Sequence, residues 1–121
     1  MNTNDLRKYI KSQLDTVAPT FYQDASDQAM YPHLVFDFKD IDLGDYYRQD
    51  YILTVDVWQK NSQADAEDMA DALCELLSVK NAPQQTILPT FYRESRKNIL
   101  DEDKDINHIQ LRFQVQVYDN E

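Results

Sequence analysis

Tyr51-Ile52-Leu53-Thr54-Val55-Asp56-Val57-Trp58 alternates apolar and mixed side chains with period 2, and from Ser62 to Val79 the apolar period lengthens to that of a helix. A strand that feeds an amphipathic helix is the spine of a mixed helix-and-sheet core. In the strand, Tyr51, Leu53, Val55 and Val57 share one face, which is expected to point inward, while Ile52, Thr54, Asp56 and Trp58 form a second face that is only half polar. In the helix, Ser62 is expected to be the N-cap, with Asp65 in a capping-box-like position and Glu67 and Asp68 near the positive helix end. Ala66, Met69, Ala70, Leu73, Leu76 and Leu77 make the buried stripe, Asp71 and Glu75 mark the wet side, and Asn81-Ala82-Pro83 ends the element.

Upstream, His33 to Phe38 reads as a strand with Leu34, Phe36 and Phe38 on one face and His33, Val35 and Asp37 on the other. Lys39 to Asp50 is a polar link in which Gly44 can take positive φ, so the region is expected to be a long hairpin arm. Its Tyr46, Tyr47 and Arg48 are candidate interface residues, because tyrosine suits surfaces where ring and hydroxyl both find partners. Thr20 to Pro32 is a long connection carrying Phe21, Tyr22, Met30 and Tyr31. Before it, Leu6, Tyr9, Ile10, Leu14 and Val17 recur at helical spacing after a cap at Thr3 or Asn4, and Pro19 closes that helix.

Downstream, a third strand is loosely bounded by Ile87 and Ile99, with Pro89 demoting its start to an edge or bulge. Asp101 to Asp105 is an acidic turn. Asn107 to Tyr118 is the last strand, in which Ile109, Leu111, Phe113, Val115 and Val117 alternate with Gln110, Arg112, Gln114 and Gln116. The expected fold class is α+β over residues 1–121 as one domain, a four-stranded, mainly antiparallel sheet in the order α-β-β-α-β-β, with both helices on one face. That leaves Trp58, Gln110, Arg112, Gln114 and Gln116 on sheet surface open to a neighbour.

The chain has 121 residues, enough for a domain that buries roughly two-thirds of its unfolded surface without a disulfide or metal. Its single cysteine, Cys74, fits a reducing compartment of synthesis. The opening residues lack a basic and apolar leader pattern, and no apolar run approaches the roughly 20 residues that cross a bilayer, so a soluble protein made in a cytoplasm is expected. Twenty-two acids against twelve bases give a formal charge of −10 and a pI near 4.4. Such a surface repels a phosphate backbone, which argues against DNA binding but not against a passage that must not grip DNA. One glycine excludes phosphate-cradling loops of the Walker and dinucleotide-binding kinds.

Site chemistry finds little purchase. The acidic turn lacks the glycine and distal glutamate of an EF-hand loop. His33 and His108 would approach each other only if the outer strands paired, and no CxxC or HExxH pattern is present, so no metal or cofactor is expected. No serine stands in a GxSxG elbow, Ser62 is explained by capping, and Cys74 has no histidine near it in sequence. The expectation is a protein that is not an enzyme.

Leu6-Arg7-Lys8-Tyr9-Ile10 in the opening helix, Tyr31-Pro32-His33-Leu34-Val35 at the first strand, Leu53 to Trp58 followed by Ala66, Met69 and Leu73, and the Asp101 to Val117 hairpin with His108 opening its alternating strand form a series. In that order the phrases resemble the tail terminator, or tail completion, proteins of long-tailed bacteriophages. The resemblance implies a virion protein of the head-tail junction, made in the bacterial cytoplasm. It would assemble as a ring, commonly a hexamer, on the head-proximal end of the tail tube. It would stop polymerisation of the tube protein and offer a surface to the head-completion or neck protein, and the genome would pass through without specific binding. The matched positions imply packing and no catalytic residues. Two alternatives stay open: a head-side neck or connector-adaptor protein, and a small ligand-binding regulatory domain.

Overall fold

The computed structural model describes residues 3–25, 29–41, 48–78 and 89–118. In chain order the elements are α1 (Thr3–Leu14), β1 (Thr20–Tyr22), β2 (His33–Ile41), β3 (Arg48–Lys60), α2 (Gln63–Leu76), β4 (Pro89–Ile99) and β5 (Ile106–Tyr118). The strands form one five-stranded sheet in the order β1-β2-β3-β5-β4.

This corrects the expected four-stranded sheet. Thr20–Tyr22, read from sequence as part of a connection, adds a short edge strand parallel to β2, with Thr20 opposite Leu34 and Tyr22 opposite Phe36. The reason lies in the backbone: Leu34 N–H donates to Pro19 O at 2.8 Å and Gln23 N–H to Phe36 O at 2.8 Å, tying both ends of the segment to β2. The remaining pairings are antiparallel.

Period 2 does what the sequence implies. Leu34 and Phe36 of β2, Leu53, Val55 and Val57 of β3 and Ile109, Leu111, Phe113 and Val115 of β5 are fully buried on one face. Leu6, Ile10 and Leu14 of α1 and Ala66, Ala70 and Leu73 of α2 join them in a single core, so both helices lie on the same side. α2 crosses β3 and β5, and α1 lies by β1. Ser62 caps α2 as expected, its hydroxyl accepting from Asp65 N–H at 3.1 Å with Ser62 itself extended. The helix ends at Leu76, with Leu77 as its C-cap, short of Val79. The expected stop at Asn81 to Pro83 lies outside the described residues.

Two strands run further than the apolar pattern suggests, β2 to Ile41 and β3 back to Arg48, because their ladder continues to Ile41 opposite Asp50. Pro89 opens β4, an edge strand, where a missing N–H costs no ladder bond. A bulge at Glu94 shifts the register between Arg93 and Ser95. Past it Arg96 turns to the helix side and meets Asp71 of α2 at 2.5 Å, while Glu94 pairs with Arg112 on the other side at 3.0 Å.

His33 is buried, and its Nδ1 is 3.2 Å from the carbonyl of Met30. Burial lowers its pKa below 6.5, outweighing that bond, which raises it. The folded chain therefore holds the proton less readily than the unfolded one. The stability this represents is present above the unfolded value and is lost as pH falls through the folded pKa.

Three outcomes are expected. Ser62→Ala lowers stability by about 1 kcal/mol, and Leu53→Ala by roughly 2–5 kcal/mol, both read as urea midpoints at unchanged slope. The melting temperature of the wild-type chain falls more steeply than that of His33→Asn between about pH 7 and about pH 5.

Candidate interaction face and its aromatic pocket

The sheet face turned away from the helices is assembled in cross-strand rows, and register decides the members of each. The first row is His33, Trp58 and His108, from β2, β3 and β5. Trp58 stacks on His108 with centroids 3.7 Å apart at 17°, and lies nearly parallel to His33 at 6.2 Å. Tyr31 and Phe21 approach His33 from outside the row at 5.0 and 5.9 Å. The two histidines thus enter one row although β2 and β5 do not pair: β3 stands between their strands and Trp58 between their rings.

The second row is Val35, Asp56 and Gln110. His108 Nε2 is 2.7 Å from Asp56 Oδ1, and Gln110 Nε2 donates to the same oxygen at 3.2 Å. A carboxylate only accepts, so Nε2 carries the imidazole proton. Asp56 is thereby held in one orientation. The third row contains Thr54 and Arg112, the fourth Ile52 and Gln114, and the fifth Asp50 and Gln116. Gln114 Nε2 donates to Asp50 Oδ2 at 2.7 Å, and Asp50, the last residue of the expected polar link, is wholly buried in β3.

Beside the first two rows is an open-mouthed cavity of about 420 Å³, walled by Tyr31, His33, Val35, Trp58 and two acids, Asp24 and Asp56. Gln23, at φ 67, turns the chain out of β1 at its rim. Among the described residues that line it there is no serine, threonine or cysteine. Cys74 is on the other side of the sheet, with Arg93 Nη1 3.7 Å from its sulfur. Among the described residues no cluster of His, Cys, Asp and Glu is arranged to hold a metal ion. Asp101, Asp103 and Asp105 serve the β4–β5 turn, where Asp101 and Asp103 side chains accept from backbone N–H groups two residues on.

Of the residues singled out from sequence, Trp58, Gln110, Arg112, Gln114 and Gln116 share this face. Tyr46, Tyr47 and the Arg48 side chain lie outside the described residues. Sequence reasoning missed His33 and His108 as ring partners of Trp58, Asp56 as the partner of His108, and Asp24 and Tyr31 as walls of the cavity. Alternation had put the first three on the correct face, but naming neighbours requires the register.

No protein-family model matches the sequence, and no curated protein matches it. Solved structures do share its fold. A chain from the virion of a native gene transfer agent particle is 15% identical, with a TM-score of 0.66, over 88% of this chain and 84% of its own. The bacteriophage SPP1 gp17 protein is 16% identical, with a TM-score of 0.51, over 97% of this chain and 90% of its own. A third solved chain, 13% identical, superposes with a TM-score of 0.69 over 100% of this chain and 99% of its own. At these identities the shared property is the fold, and it extends over nearly the whole of each chain.

Proposed function

We propose that this protein is a structural component of a phage-type virion. In this reading it forms a ring on the head-proximal end of the tail tube, ends tube polymerisation and presents the surface that receives the head. The observation that carries the reading is the fold shared with a gene transfer agent virion chain and with bacteriophage SPP1 gp17 over most of this chain. The resemblance of its sequence to tail terminator proteins narrows the virion role to the tail end.

The geometry suits such a ring. One sheet face is closed by both helices, and the opposite face, which bears Trp58, the partly apolar β3 row and the glutamines of β5, has no helix over it among the described residues. Copies in a ring meet through two different patches, and a broad face beside an edge supplies them. The role involves no catalysis. An excess of acids over bases lets DNA pass without being held, since few lysines and arginines are there to displace its counterions.

Negative-stain imaging of the protein mixed with purified tail tubes is expected to show one ring at one end of each tube, and added protein is expected to shorten tubes grown in vitro. Rings found on portal-bearing heads and not on tubes would instead assign the protein to the neck. Thr54→Arg, which places a charge in the middle row of this face, is expected to leave the circular dichroism spectrum unchanged and to reduce ring formation at least about tenfold. Ring formation equal to wild type would remove this face from the interface.

A further inference from the structure

We infer that the cavity between Trp58, Tyr31, Asp24 and Asp56 is a socket for an arginine side chain presented by a partner protein. Four features of the site converge on that occupant. Among the described residues its lining holds two carboxylates and neither a lysine nor an arginine, in a chain whose formal charge is −10. Trp58, Tyr31 and His33 make its walls aromatic, and guanidinium is the side-chain cation that both packs against rings and pairs with carboxylates. Asp56 is already oriented, because His108 and Gln110 both hold Oδ1, so little side-chain entropy is left to lose on binding. Burial keeps His33 neutral at pH 7, so the wall it forms adds no positive charge.

The mouth of the cavity fixes the source of the cation. It opens on the sheet face that neither helix covers, and Trp58 and Asp56 belong both to its wall and to the rows that continue into Gln110 and Gln114. A partner lying on those rows would carry its side chain straight into the opening. The inference requires that this face be an interface. It does not require that the partner be a tail component, so it stands or falls separately from the ring.

Trp58 is the only tryptophan of the chain, which makes its fluorescence a direct reporter of the socket. The full chain would be titrated with N-acetylarginine methylamide, blocked at both ends like a residue within a protein. Its citrulline counterpart has the same shape without the charge, and agmatine represents a small free cation. A saturable change with the blocked arginine, at least about tenfold weaker with citrulline, is expected. Asp24→Asn and Asp56→Asn should each weaken it several-fold. Asp24 is exposed and outside the core, so its variant keeps the fold even where Asp56→Asn does not. No saturable change, equal binding of citrulline, or binding of agmatine alone would overturn the inference, the last by assigning the cavity to a small molecule. Arginine binding without rings on tubes would leave the socket intact and remove the tail role. Rings without arginine binding would do the reverse.

Discussion

The pairing of β3 with β5 is the constraint from which the remaining geometry follows. Both strands are thirteen residues long, and their ladder runs unbroken from Arg48 opposite Tyr118 to Lys60 opposite Ile106. Three alternate pairs at its centre, Val57 with Ile109, Val55 with Leu111 and Leu53 with Phe113, are fully buried. Each such side chain contributes roughly 1.5–3 kcal/mol when removed from water, set against the conformational entropy lost on ordering it. A slip of one residue would turn this whole set outward and carry Thr54, Asp56, Arg112 and Gln114 into the core. The register is therefore strongly specified, and α2, lying across both strands, rests on its apolar side.

The same register writes the opposite face. Once Val57 meets Ile109, Trp58 must meet His108 and Asp56 must meet Gln110, so the stacked ring pair and the bonded carboxylate accompany core packing without a separate device. β2 enters under the same rule, since Leu34 opposite Val57 brings His33 beside Trp58. What core packing does not determine is how the outward groups treat one another. His108 could have turned to water, yet it lies flat on the indole with Nε2 against Asp56, an arrangement that restricts both strands near one end of the sheet.

Much of this was legible from residues, for a physical reason in each case. β5 shows five apolar positions in strict alternation, and α2 opens with a capping serine, so both elements announce their type and their buried face. β1 does not: Thr20-Phe21-Tyr22 is too short to display a period, and its strand character comes from bonds to a segment more than ten positions away. Asp50 ends the stretch that reads as a polar link, yet it is buried and bonded by Gln114, because a ladder persists past the point where its side chains stop being apolar. The interaction face followed the same division. Which side Trp58, Gln110 and Gln114 occupy is a matter of parity and can be counted. Which groups they touch depends on strand order and register, and the cavity beside Trp58 further needs the turn that brings Asp24 and Tyr31 over the sheet.

The two edges of the described sheet bear on how copies of such a protein can meet. An open edge invites addition of another strand, and a protein whose copies joined that way would extend without limit. Here β1 offers three residues, too few for a stable added ladder. β4 is long, but it is bent at Glu94 by the bulge and carries Arg93, Glu94, Arg96 and Lys97 in near succession, and charged side chains along an edge strand oppose the addition of another. Edge-to-edge growth is thus opposed at both ends by different means. The broad face remains, and whether contacts made through such a face close or propagate is set by the rotation between one copy and the next.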